Sequence, residues 1–300
     1  MAATRSIARE AVSGAVPRRF WRQVAWRRFR SNHVAVAAAG FLLVTYALAA
    51  LGPVISPYPP NDVDILNTNA SPSRAHWLGT DENGRDVLSR VIAGARTSMT
   101  VGLSAMVIAI AIGALVGSLG GYLGGLADSV LMRLVDGMLA VPYFFLVLIV
   151  VAVFGSSFRN IVVVIGVTSW MVVARIVRGE VLRQRGLDFV LAAQAIGATT
   201  ARILVRHVLP QTFPSVIVAA TLGVANAILL ESALSYLGLG IQPPQASWGN
   251  MLSNAQAYVW QNPALPVYPG LLILCTVLAY NFLGDALRDA LDPRYRESDL

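Results

Sequence analysis

Residues 188–210 read DFVLAAQAIGATTARILVRHVLP. The stretch carries Asp188, Arg202 and Arg206, is rich in Ala, Gly and Thr, and lies between two long apolar runs. Joining two membrane spans takes only a few residues, so a patterned, helix-forming segment of this length is more than a connector. It predicts a surface held at one face of a membrane, on which another protein docks.

The flanking runs set the fold class. Of the 300 residues 56% are hydrophobic and only 13% charged, about half the charged share of a soluble domain. The charges are also clustered. None falls between Arg96 and Asp128 or between Asp136 and Arg159, and only Glu231 falls between Arg206 and Asp285. Runs of this length suit hydrocarbon as helices of about 20 residues. Six spans are predicted, at 34–55, 98–121, 130–154, 161–181, 213–237 and 267–287, giving an all-α polytopic membrane protein. The fourth is short: its uncharged core, 160–174, rises only ~22 Å as a helix, and Arg175 and Arg178 must snorkel to the interface. The competing reading of the first span is a signal peptide, with Ala47-Leu48-Ala49 as its cleavage site. The length of the apolar core and of the tail before it favours a retained span.

Arginine placement gives the orientation, because cytoplasmic loops carry the basic excess. Segment 1–33 holds eight Arg, and 175–206 holds six. With six spans these segments share one side with Arg133, Arg288, Arg294 and Arg296; the other side receives only Arg74, Arg85, Arg90, Arg96 and Arg159. Both termini are therefore expected in the cytoplasm. The chain divides into a basic segment 1–33, a first span 34–55 and an extracytoplasmic segment 56–97. A five-helix core 98–287 follows, with a cytoplasmic loop 182–212, and then a tail 288–300.

The residue inventory excludes several functions. All 23 basic residues counted as Lys or Arg are Arg, and the phosphate-binding pattern GxxxxGK[ST] needs a Lys. If ATP drives this protein, the nucleotide and its Mg bind another polypeptide. The net charge of +7 orients the chain and meets anionic lipid, so no nucleic acid is implied. The single Cys275 lies in the sixth span, and His33, His76 and His207 sit in separate segments. No metal-ligand spacing and no nucleophile–base set results: no cofactor, no metal and no catalytic residue are expected on this chain.

Within 188–210, Ala192, Ala193, Ala195 and Gly197 keep part of the surface small enough for a partner backbone to approach closely. Gly197 suits a helix C-cap, and Thr199 or Thr200 can cap a second helix. That helix carries Arg202 and Arg206 on one face and is expected to stop before Pro210. The alternative is an amphipathic helix lying on lipid; Ala and Gly bury too little apolar area to favour it. On the other side, Val87, Leu88, Val91, Ile92 and Ala95 recur at helical spacing. They fit an interfacial helix leading into the second span, or a contact with an external protein made by Arg85, Asp86 and Arg90. The loop 239–266, with Pro243, Pro244, Trp248, Trp260 and Pro263, either seals a path or contacts an external protein, or is a rigid re-entrant cap. Glu231 is the sharpest single residue: an acid in a span faces a cavity or a partner, so it either lines a path or makes a structural bond. Asp136 is expected to pair with Arg133, one turn away.

The segment 188–210 resembles the cytoplasmic loop of permease subunits of binding-protein-dependent ABC importers, which runs Glu-Ala-Ala, three residues, Gly, then about nine residues to Ile-x-Leu-Pro. Ala192, Ala193, Gly197, Leu209 and Pro210 are in register; Leu191 replaces the acid, with Asp188 nearby, and His207 replaces the Ile. A His there is similar to the dipeptide, oligopeptide and nickel branch. So are His76-Trp77-Leu78-Gly79-Thr80-Asp81 with Gly84-Arg85-Asp86 and Ser89-Arg90, then Leu234 to Gly240 with Pro243-Pro244 and Trp248-Gly249. The last is Gly284-Asp285, continuing through Leu287-Arg288-Asp289 and Leu291-Asp292-Pro293-Arg294. Over residues 20–296 the chain resembles the C-type permease of a dipeptide or oligopeptide importer. The resemblance implies the type I ABC importer permease fold in a bacterial inner membrane. It implies a homologous second permease, two ATPase domains and an extracytoplasmic substrate-binding protein. It makes Asp188, Ala192, Ala193, Gly197, Arg202, Arg206 and Pro210 the ATPase-coupling residues. Other cargo of the same machine (nickel, haem, a glutathione-like peptide) stays open. A secondary transporter would show more spans, repeats and midplane ionisable groups.

Overall fold

The computed structural model describes residues 26–291, and among these no strand is longer than an isolated bridge between Thr80 and Asp86. The N-terminal residues 1–25 and the stretch 292–300, including Asp292-Pro293-Arg294, lie outside the described residues. Helix α1 is His33–Ile55, α2 is Val87–Leu123, α3 is Gly125–Leu139, α4 is Tyr143–Phe154 and α5 is Phe158–Gln184. Then come α6 (Asp188–Ala195), α7 (Thr200–Ile203), a π-helical turn Leu204–Val208, α8 (Leu209–Tyr236), α9 (Trp248–Gln256) and α10 (Ala264–Leu291).

Five of the helices are long and apolar enough to cross a bilayer alone. The single helix expected over 130–154 is absent: in its place α3 and α4, bent by 86°, are long and apolar enough for a sixth crossing only when taken together as one broken span. The cause is local. Pro142 has no N–H and its ring disfavours helix at the residue before it, so α3 stops at Leu139 and α4 starts afresh behind Pro142. The second span also differs. Residues 87–97 form no separate interfacial helix; they are the first turns of a 37-residue helix that is ~55 Å long.

Close packing of α2 on α5 is the centre of the bundle. Gly113, Gly117 and Gly121 repeat every four residues and make one seam along α2. A Cβ at Gly117 would lie 2.4 Å from the Ala174 carbonyl oxygen; at Gly113, 2.6 Å from Val173 Cβ; at Gly121, 2.9 Å from the Arg178 oxygen. From the other side, Gly166 of α5 sits against the Ala105 oxygen of α2. Between helices in lipid there is little hydrophobic drive, so backbone proximity through small residues supplies the attraction. Trp170, Val173, Ala174, Val177 and Val181 of α5 fill the core beside this seam.

The first span is an integral part of the bundle: Tyr46 bonds Tyr280 of α10 at 2.5 Å, and Gly52 lies against Ile92. The two ends of the bundle can be told apart. The start of α10 packs with Val87 and Met251 through Leu265, while its end shares a cleft with Arg28 and Asn32 before α1. The start of α1 and the end of α10 are thus together, and α10 continues helical through 288–291, residues expected in the tail. Tyr122, at the far end of α2, bonds Gln194 at 3.1 Å, which puts 188–210 at that same end.

Candidate functional site

The segment 188–208 is a small, rigid structure. Val190 and Ala193 of α6 are buried in the main core, while Asp188, Phe189, Leu191, Ala192 and Ala195 face outward. The helix ends in a Schellman motif: Ala198 N donates to Ala193 O at 3.0 Å and Gly197 N to Gln194 O at 2.9 Å, with Gly197 at φ +79°. The expected turn at Gly197 is present, and it leaves open space around the residue. Thr199 is the cap of α7, its hydroxyl accepting from Arg202 N at 3.4 Å. Arg202 and Arg206 are both exposed.

The chain does not stop before Pro210. It continues through the π-helical turn, where Leu209 N donates to Leu204 O, and Pro210 falls in the first turn of α8. A first-turn N–H has no partner within its helix, and the wide turn absorbs the mismatch, so Pro costs little there. Sequence reading also missed the apolar ridge. Leu187, Phe189, Leu191 and Ile196 are all exposed, Ile196 by 86%. The signal in the sequence is that Leu187, Phe189, Leu191 and Ile196 flank the small residues 192–195 in a segment outside the long apolar runs.

Polar ties hold together the helix ends around this segment, which itself is tied to α2 through Gln194 and Tyr122. Arg178 forms a two-pronged bond with Asp128, Nε to Oδ1 at 2.5 Å and a terminal nitrogen to Oδ2 at 2.6 Å. Arg185 reaches the Gly121 carbonyl at 3.3 Å, and Ser215 donates to Glu180 at 2.7 Å. Asp136 pairs with Arg175 at 2.5 Å and not with Arg133. The expected i, i+3 pair gives way to an interhelical one because α5 passes alongside α3.

Glu231 is fully buried. Ser98 of α2 donates to it at 3.0 Å, and Ser235 at 2.7 Å. Ser98 Oγ in turn accepts from Trp248 N at 3.3 Å, and Ser235 Oγ from Ile241 N at 2.9 Å. Of its two readings the structural bond is the one this geometry supports: the carboxyl ties α2, α8 and the turn before α9 together.

Arg85, Asp86, Arg90 and Trp248 are brought together at the far end of the bundle, all four buried. Arg85 donates to Asp81 at 2.7 Å, and Arg90 lies 3.3 Å from the same carboxylate. Asp86 caps α2 through Ser89 N at 2.8 Å and bonds His76 at 2.9 Å. Trp248 donates from Nε1 to Val91 O at 3.2 Å. None of these side chains faces outward; they clamp the segment 56–86 onto α2. Beside this clamp, Asn67 and the Leu66 N–H hold the exposed Asp64 carboxyl below the usual carboxylate range. Among the described residues no group of His, Cys, Asp and Glu could hold a metal.

A multi-pass α-helical bundle with a broken third crossing and a rigid polar element between the fourth and fifth is the architecture of a type I ABC importer permease. Comparison with known proteins gives the family. Residues 109–297 match the family of binding-protein-dependent transport system inner membrane components, and residues 19–72 match the N-terminal transmembrane domain of oligopeptide transport permease C. The chain belongs to this permease family. It is 44% identical over 296 residues to the glutathione transport system permease protein of Shigella flexneri serotype 5b, covering 96% of this chain and 97% of that one. The corresponding Escherichia coli O157:H7 protein is 42% identical over the same shares. An inward-facing structure of the MetNI methionine ABC transporter shares the fold, with TM-score 0.55 and 18% identity over 68% of this chain and 97% of that one.

Proposed function

We propose that this permease forms half of the translocation path of an ATP-driven importer of short peptides, glutathione-like peptides included. A homologous second permease supplies the other half. The observation that carries the coupling is the exposed apolar surface of Leu187, Phe189, Leu191 and Ile196 on an element that also exposes Asp188, Arg202 and Arg206. Such a face is stable against a protein groove, and the Schellman turn at Gly197 holds it rigid. An ATPase subunit docks there, with Arg202 and Arg206 beside it. ATP and Mg stay on the ATPase subunits, which places that end of the bundle, and with it both ends of the described chain, in the cytoplasm. This chain then carries no catalytic residue. The opposite end, clamped by Arg85, Asp86, Arg90 and Trp248, receives ligand from an extracytoplasmic binding protein.

The similarity to glutathione permeases along nearly their whole length supports the cargo class. Gly197→Trp tests the coupling. The space around Gly197 is open but any side chain at its φ of +79° strains the turn, so membrane insertion and Tm of the variant are checked against wild type first; an indole on the docking face then keeps the ATPase away and uptake is abolished. Normal ATP-dependent uptake by inserted Gly197→Trp permease in vesicles would sink the assignment. Cargo is read separately, from peptide binding by the cognate binding protein.

A further inference from the structure

The break in the third crossing opens a groove of about 770 Å³ between α4, α5 and α8, in the middle of the bundle. Its volume is that of a small-molecule site. No charged residue lines it. Its face on α8 is the stripe Ala219, Leu222, Gly223, Asn226, Leu229, Leu230 and Ala233, which recurs at helical spacing and has Asn226 at its centre. Asn226 is exposed and lies ~15 Å along the helix from the Tyr236 end. It is five residues from Glu231, so it points ~140° away around the helix axis. Glu231 and Asn226 thus have different surroundings: Glu231 faces the packed core, Asn226 the groove.

Asn226 makes no hydrogen bond within the described chain. An amide left bare in hydrocarbon costs several kcal/mol, so lipid does not cover this face. Across the groove, Ser169 donates to Ile165 O at 2.6 Å and bonds the Tyr143 hydroxyl at 2.6 Å. With the Ser169 proton committed, Tyr143 donates to Ser169 and keeps its own oxygen free to accept. The groove therefore offers amide donors and acceptors on one wall and an acceptor on the other. Met106, Met138 and Met171, three of the chain's seven methionines, stand among its aliphatic and aromatic lining. Methionine is flexible and polarizable, the residue of surfaces that accept varied shapes.

We propose that this groove is the wall along which the peptide passes. Asn226 and Tyr143 meet the backbone amides that every peptide shares, and Met106, Met138 and Met171 yield to side chains that differ. The path wall is uncharged, so this chain discriminates little by ligand charge. The inference rests on the importer reading above.

The test uses the importer assembled with its partner permease, ATPase subunits and binding protein. Cys275 is the single cysteine, so Cys275→Ser gives a thiol-free chain into which Asn226→Cys is placed. Leu43→Cys, on the outer face of α1, is the control. A charged methanethiosulfonate is expected to label the residue-226 thiol on the order of tenfold faster than the residue-43 thiol, as an aqueous path requires. Saturating dialanine or glutathione should slow it. Ser169→Cys repeats the measurement on the opposite wall if Asn226→Cys fails to assemble. Asn226→Asp should raise uptake of a basic dipeptide over an acidic one on the order of tenfold, since a fixed negative charge on the wall attracts a cation and repels an anion at short range. If the wild-type complex takes up dialanine or glutathione with ATP while neither cysteine is labelled with or without nucleotide, the groove is packed against protein and the proposal falls. Labelling with an unchanged dipeptide ratio overturns the ligand contact. A complex that takes up neither probe with ATP removes the peptide-importer reading, and this proposal with it.

Discussion

Gly117→Ala adds one methyl group at the point where α2 and α5 come closest. The new Cβ would stand 2.4 Å from the Ala174 carbonyl oxygen, where ordinary contact begins at 3.4 Å. The obstacle is backbone, which cannot rotate aside, so the helices must part by about 1 Å. Gly113 and Gly121 lie one turn to either side on the same seam, so the separation spreads over three turns of contact. A gap of that size forfeits a quarter to a half of each dispersion contact it opens. Overpacking of this kind costs about 1–3 kcal/mol, while Ala recovers up to about 1 kcal/mol of helix propensity over Gly. The net expectation is a loss of about 1 kcal/mol, or roughly 2–4 °C in Tm. Gly179→Ala is the matched control: it lies in α5 with nothing within 4 Å of its added methyl and φ in the helical range, so propensity alone acts and Tm holds or rises. Both are measured by thermal unfolding of purified permease in one detergent, followed by tryptophan fluorescence, to which Trp170 beside the seam contributes. Equal Tm values for the two variants would refute the claim that backbone proximity at this seam holds the bundle.

Other substitutions probe the polar ties. Glu231→Gln keeps one carbonyl acceptor and turns the other oxygen into an NH2 that can donate to a serine Oγ, and is expected to leave uptake and peptide preference near wild type, whereas Glu231→Leu leaves both hydroxyls without their acceptor and destabilises by about 1–3 kcal/mol per orphaned group; altered peptide preference in Glu231→Gln at unchanged Tm would mean that the residue touches the path after all. Asp86→Ala removes the cap of α2 together with the His76 bond and should cost about 0.5–2 kcal/mol, seen as earlier proteolysis of the segment 56–86; unchanged protection would show that the clamp rests on Arg90 and Trp248 instead.

Much of this protein is legible along the chain because lipid imposes harsh rules. Charge-free runs of about 20 residues are rare outside membranes, so the crossings show in the spacing of charges from Arg96 to Asp285. Gly197 and Thr199 are also legible, because a left-handed turn and a helix cap are local demands met by few residues. The break at Pro142 was present as a letter but read as part of a span, since hydropathy windows average over a single Pro. Pro210 misled in the opposite sense: a stop signal became a first-turn residue because the preceding turn widened. The outer cluster misled most. Arg85, Asp86 and Arg90 look like surface residues in a polar segment, and only folding shows that Asp81, His76 and Pro60 turn them inward.

The sequence by itself determines that the chain is a helical membrane protein, where it crosses, and that a capped two-helix element separates two of the crossings. These follow from hydrocarbon burial and from local backbone chemistry, which act over a few turns. Tertiary structure alone decides which face of each helix is packed and which is free. It seats Gly113, Gly117 and Gly121 against the backbone of α5, puts Glu231 in the core, and leaves Asn226, ~140° around the same helix, facing a groove. Facing is a relation between distant parts of the chain, and no local property of either residue contains it.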